Sequence, residues 1–295
     1  MKRFKCLILL ALSLLLLVSC EETPKHITSC ELSAGDVKEN LYVGMSQSEL
    51  FTFMGYPPEY DLLTDKDTSY IIEKYCHYRW ALTDGNILDM ITKINDEAFG
   101  GINTDAFHVS EIKITTPSGD EVYRQLCRPL DLQNLPEGFW LSQAKDSGLV
   151  VHENGHVTAG QDSFSYFLEQ TGKGIPATVF LANYYTLLDP SNYDPSYYEE
   201  IKGDYPKLFI SALTFDGEKY QHIQYENGEK IVSSYAYLVR SYKPADPRRP
   251  HDTEGSTLVY MLSDAPDGSY YDWLVATTSS SVLIDRKRCW PIYTE

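Results

Sequence analysis

Hydrophobic and polar positions along this chain fall into short blocks, some with helical spacing and more with the alternation of strands. Ser33 opens a helical pattern through Asp36, Val37 and Leu41. A sharper one follows: Ser46 can cap a helix start, Glu49 completes a capping box, and Met45 can staple onto Leu50. Leu50, Phe53 and Met54 then form one apolar face, Gly55 stops the helix, and Pro57-Pro58 prevents its resumption. Strands are predicted at 70–82, rich in Ile, Tyr and Trp, and at 107–115 around Val109, Ile112 and Ile114. Pro117-Ser118-Gly119 turns the second of these onto 122–127. Two helices and a three-stranded meander thus predict a small α+β domain over 33–128.

Residues 129–138 hold Pro, Asn and Gly without periodicity, and we expect a linker over 129–145. A second α+β domain, 146–295, follows. It begins with a hairpin at 149–158, a short helix at 163–170 with Phe164, Phe167 and Leu168 inward, and a long apolar strand at 175–187. Strands at 208–215 and 219–226 join through Asp216-Gly217, and Asn227-Gly228 turns the chain into 230–242; both dipeptides are strong hairpin signals. Residues 242–256, with three prolines and two arginines, predict a mobile surface loop. Strands at 257–262 and 282–284, with a helix or strand at 270–276 between them, complete the chain. The expected fold class is α+β, in two small domains, each an antiparallel sheet carrying one or two short helices.

Candidate chemistry is sparse. His152-Glu153-Asn154-Gly155-His156 matches His-Glu-x-x-His, in which one helix face presents two zinc ligands and a general base. Asn154-Gly155 lies between Val150-Val151 and Val157-Thr158, which favours a hairpin turn instead and sends the histidines onto separate strands. Gly172-x-Gly174 follows a helix and precedes a strand, the wrong order for a phosphate cradle. Ser279-Ser280-Ser281 lacks the glycines of a nucleophile elbow. No catalytic residue, metal or cofactor is therefore assigned. A possible binding surface is the set Tyr184, Tyr185, Tyr193, Tyr197, Tyr198 and Tyr205, set among Asn, Asp, Ser and Pro. The plainer expectation is that half of these rings stiffen a long connection.

The first twenty residues change the picture. Lys2, Arg3 and Lys5 precede an apolar run from 7 to 18, a length suited to a secretory signal and short of a membrane span. Leu17-Val18-Ser19-Cys20 resembles the cleavage site of bacterial lipoproteins. That resemblance implies removal of 1–19, lipidation of Cys20 with palmitate-class chains, and a tether over 20–32. The implied location is extracytoplasmic, at the outer membrane or the outer face of the cytoplasmic membrane. The formal net charge is −17, and loss of the signal removes positive charge only. Such a chain repels phosphates, which excludes nucleic acid as partner and leaves membrane attachment to the lipid. Cys30, Cys76, Cys127 and Cys289 permit two disulfides in three connectivities.

Two further resemblances concern the domains. Tyr42-Val43-Gly44-Met45-Ser46-Gln47-Ser48-Glu49-Leu50 with Phe53-Met54-Gly55-Tyr56-Pro57 resembles the signature of the small lipoprotein of the β-barrel assembly machine. That signature is shared with the β-lactamase-inhibitor-like fold, and residues 83–106 stand as an insertion relative to it. The second half, through Phe164-x-x-Phe167-Leu168, Leu213-Thr214-Phe215-Asp216-Gly217, Tyr235-Ala236-Tyr237-Leu238 and Tyr260-Met261-Leu262-Ser263-Asp264, resembles an uncharacterised domain of bacterial lipoproteins. Together these imply a lipid-anchored, non-catalytic binding or envelope-associated module, with an envelope protein as possible partner. The alternatives are a secreted zinc peptidase using His152 and His156, or an inhibitor of an external hydrolase.

Overall fold

A computed structural model describes residues 28–55, 61–64, 73–94, 107–245, 256–278 and 287–294. The expected α+β class holds: helices pack on sheets dominated by antiparallel pairing. In the first half, α1 (Ala34–Asn40) and α2 (Gln47–Met54) both begin with capping boxes. At α2, Ser46 Oγ accepts from the Glu49 amide at 3.3 Å while Glu49 Oε2 accepts from the Ser46 amide at 2.9 Å. Each box satisfies amides that the helix cannot bond internally. Gly55 ends α2 at φ 76°.

These helices cover one face of a sheet built from β1 (Thr28–Ser29), β2 (Asp61–Thr64), β3 (Glu73–Ala81), β4 (Ile87–Ile94), β5 (Phe107–Thr115) and β6 (Glu121–Gln125). The strand order is β1-β3-β4-β5-β6, with β2 also on β3. Strand β4 lies within 83–106, the segment expected as an insertion, so the meander has four strands rather than three. Its Leu88, Met90 and Thr92 are fully buried and share the core with Val37, Leu50, Trp80 and Ile112. The turn between β3 and β4 contains Asp84-Gly85, with Gly85 at φ 83°.

The second half carries two sheets, one more than expected. The larger contains β7 (Val150–Glu153), β8 (His156–Ala159), β9 (Ala177–Tyr185), β10 (Lys207–Phe215), β11 (Tyr220–Glu226) and β12 (Glu229–Tyr235). Its order is β12-β11-β10-β9-β7-β8, and β7 runs parallel to β9 because α4 (Gln161–Gly172) carries the chain back between them. The smaller contains β13 (Tyr237–Lys243), β14 (Thr257–Ser263) and β15 (Cys289–Thr294), ordered in that sequence. The strand expected over 230–242 thus breaks at Ala236 and changes sheets. Segment 270–276 lies in a helix, α6 (Tyr270–Thr278), while β15 was not expected. The expected strand at 282–284 and most of the 242–256 loop lie outside the described residues.

Side-chain alternation gives the larger sheet two buried faces. On one, Val151, Phe180, Ala182 and Ala212 pack against Leu130, Phe139, Leu141 and Ala144. Residues 129–145, expected to link domains, therefore form a helix, α3 (Leu141–Asp146), and cover a sheet. On the opposite face, Val150, Val179, Leu181 and Leu213 meet Phe164 and Phe167 of α4 together with Leu262, Ile292 and Tyr293 of the smaller sheet. The Phe164 and Tyr293 rings stack at 4.0 Å, and Tyr260 meets Phe164 edge-on at 5.3 Å. Aromatic pairs of this kind add about 1 kcal/mol each beyond area burial. They hold the small sheet over one part of the larger sheet's face.

The four cysteines among the described residues, Cys30, Cys76, Cys127 and Cys289, are free. Cys30 Sγ lies against the Ala81 carbonyl at 3.7 Å, whereas Cys76 is five residues back along β3. At the rise of a strand that is roughly 16 Å, well beyond disulfide reach of about 7 Å between Cα atoms. Cys127 is half-buried, and desolvation pushes the pKa of its thiol up to about 12, which disfavours the reactive thiolate.

Candidate functional site

Beyond the small sheet, the larger sheet's face becomes, among the described residues, the floor of a cleft of about 620 Å³. Register builds that floor. Ser211 of β10 pairs with Leu181 and Gln224, and Leu213 pairs with His222, so Ser211, His222 and Gln224 project on one side. Asn183, Tyr185 and Phe209 continue the same side toward the open end, where the Tyr185 and Phe209 rings meet at 6.0 Å. The wall opposite is formed by Trp273 of α6 and by Trp290 and Ile292 of β15.

Two polar atoms in this lining are buried and lack a hydrogen-bond partner among the described residues: Ser211 Oγ and Trp273 Nε1. Ser211 is 5% exposed. A third such atom, His152 Nδ1, belongs to β7 on the same sheet face, where His152 pairs with Asn183. Leaving a donor or acceptor buried and unpaired costs about 1–3 kcal/mol, and for Ser211 and Trp273 that cost falls where a ligand could relieve it. Burial lowers the pKa of His152 to about 4 and lowers that of His222 too, so both rings are neutral at pH 7. Gln224 Nε2 donates to Glu226 Oε1 at 3.0 Å, which fixes the amide and leaves its carbonyl oxygen as an acceptor.

The His-Glu-x-x-His segment takes the expected turn. Asn154 and Gly155 sit at φ 50° and 87° between β7 and β8, as a two-residue hairpin of right-handed twist requires. Asn154 is also pinned to β9: its Oδ1 accepts from the Thr186 amide and its Nδ2 donates to Thr186 Oγ1, both at 2.9 Å. His152 is buried, His156 is exposed, and Glu153 pairs with Lys145 at 2.8 Å. The helix face needed for a zinc peptidase is absent from this segment. Gly172 ends α4 as expected, and Ser279-Ser280-Ser281 and Cys20 lie outside the described residues.

The six tyrosines do not form one surface. Tyr184 and Tyr185 project to opposite faces of β9, the former meeting Trp140 edge-on at 5.9 Å. Tyr193 packs between Tyr197 and Tyr198 of α5 (Pro195–Ile201), and its hydroxyl accepts from the Leu188 amide at 3.1 Å. Tyr205 lies under Lys207. Only Tyr185 of the six lines the cleft. Ser211, His222, Gln224, Trp273 and Trp290 escaped sequence reasoning; the one available signal was polar Ser211 two residues before core Leu213.

The fold and site define an α+β protein with a ligand-sized, aromatic-walled cleft on one sheet face. No family model matches the chain, nor does any curated protein or solved structure. Among the described residues no helix is long and apolar enough to cross a membrane.

Proposed function

We propose that the chain is a lipid-anchored, extracytoplasmic, non-catalytic binding module, tethered through Cys20, whose ligand enters the cleft of Ser211 and Trp273. The observation that carries this reading is a pair of buried polar atoms, without hydrogen-bond partners among the described residues, lining a cavity of about 620 Å³. Small-molecule sites are mostly apolar concavities of roughly 300–1,000 Å³ with a few polar groups that orient the ligand. Binding is favoured over catalysis because, among the described residues, no imidazole is hydrogen-bonded to Ser211 Oγ, as it would be to an activated nucleophile. Among the described residues the lining also holds a single carboxylate, Glu226, rather than an acid–base pair. The tether rests on the signal-like pattern ending at Cys20.

The chain carries its own reporters. Of its four tryptophans, Trp273 and Trp290 line the cleft, Trp140 touches Tyr184, and Trp80 is buried in the first half. Full-length, lipidated protein in detergent, labelled with 5-fluorotryptophan, should be titrated with the small-molecule fraction of envelope extracts. The Trp273 and Trp290 fluorine resonances should move while Trp80 stays. Movement of Trp140 alone would place binding at the tyrosine-rich side, and an unchanged spectrum would refute the reading.

A further inference from the structure

We infer that the ligand of this cleft is an uncharged glycan, a short run of neutral sugar rings. This rests on the cleft being a binding site and narrows what can occupy it. Among the described residues, the lining contains no lysine or arginine to compensate a phosphate, a sulfate or a carboxylate. An anion would have to enter facing Glu226, on a chain whose net charge is −17. Nucleotides, fatty-acid carboxylates and uronic or sulfated sugars are disfavoured on that ground. A wholly apolar ligand fails for the opposite reason, because Ser211 Oγ and Trp273 Nε1 would stay buried and unpaired.

What remains is a ligand with flat apolar faces and a rim of neutral donors and acceptors. A pyranose has that construction: its axial C–H bonds make one apolar face and its hydroxyls point around the edge. The cleft presents the complement. Trp290 and Phe209, 46% and 56% exposed, are flat surfaces at the accessible part of the cleft. Ser211, Asn183 and Gln224 supply groups that both donate and accept or are fixed as acceptors, and Trp273 supplies a donor. The neutral His222 ring adds one donor and one acceptor. A site built to pair with hydroxyls also rejects analogues that lack them, since its own buried groups are then left unsatisfied. A peptide is less well matched. Extended peptides dock by adding a strand to a sheet edge, whereas this cleft lies on a sheet face, over the interior strands β9, β10 and β11.

The experiment is calorimetric titration of the full-length, detergent-solubilised protein with three probes. These are a panel of neutral oligosaccharides (β-1,4- and α-1,4-glucans, galactans, mannans), their sulfated or uronic counterparts, and a pool of neutral peptides. At least one neutral oligosaccharide should bind saturably, and its sulfated form at least tenfold more weakly. Trp290→Ala, a half-exposed position, should weaken that binding at least tenfold with melting temperature retained, and Ser211→Ala should weaken it too. Binding of sulfated sugars as tight as neutral ones, or of peptides alone, would overturn the glycan assignment. So would silence toward every oligosaccharide while envelope extract still moved the Trp273 and Trp290 fluorine signals; that outcome leaves the cleft as a site for another ligand. Silence in both assays would overturn the site itself.

Discussion

His152 offers the most quantitative handle on the cleft. Its ring is buried at 6% exposure, Nδ1 has no partner among the described residues, and burial lowers its pKa from the ordinary 6.5 to about 4. The charged form is therefore tolerated in the unfolded chain and resisted in the folded one. Between pH 6.5 and about 4 the unfolded state binds the extra proton, so stability must fall as pH falls through that window and be fully present above it. Each tenfold change in proton affinity is worth about 1.4 kcal/mol, so the whole window amounts to about 3 kcal/mol for this one side chain. For a domain of 150–250 residues that corresponds to about 6–12 °C in melting temperature. Parent and His152→Leu should be melted by circular dichroism at intervals from pH 8 to pH 4. At pH 8 the two should lie within about 1 kcal/mol, since the substitution also removes the unpaired nitrogen. Toward pH 4 the parent should lose the additional 3 kcal/mol and the variant should not, while carboxylate titration and the smaller effect of His222 are common to both. Parallel pH profiles would refute the claim that His152 is buried neutral beside the cleft.

Gly155→Ala should destabilise the protein by about 1 kcal/mol or more, because alanine resists the φ of 87° that the hairpin imposes; an increase in melting temperature would mean the segment is helical after all. Ser46→Ala should cost about 1 kcal/mol through loss of the helix cap. Gly55→Val should cost more than that, since a β-branched residue is strained at φ 76°, and equal denaturant midpoints for these two variants would contradict the assigned helix end. Cys20→Ala should move the protein from the membrane fraction to the soluble one; retention in washed envelopes would refute the lipid tether.

What the sequence disclosed follows from how local each signal is. Capping boxes at Ser33 and Ser46, and hairpin turns at Asn154-Gly155 and Asn227-Gly228, are decided within a few residues and are readable directly. Strand β4 was readable in principle, from Asp84-Gly85 and from Leu88, Met90 and Thr92 alternating with Asp89 and Lys93. The break at Ala236 carries no turn residue; it exists because Tyr235 packs in one core while Val239 faces another. The cleft is the least local feature. Its floor and wall come from β9, β10, β11, α6 and β15, joined by strand register and by Phe164 stacking on Tyr293. Ser211 and His222 read along the chain as unremarkable polar interruptions, and only pairing places them together.

The central claim is that ligand is held on the sheet face beneath Trp273 and Trp290, and hydrogen–deuterium exchange of the full-length protein tests it most directly. With saturating envelope small-molecule fraction, amides at 207–211, 222–226 and 289–292 should exchange more slowly, and those at 193–201 should be unchanged. Protection confined to 184–205, or no protection anywhere in the second half, would contradict the account.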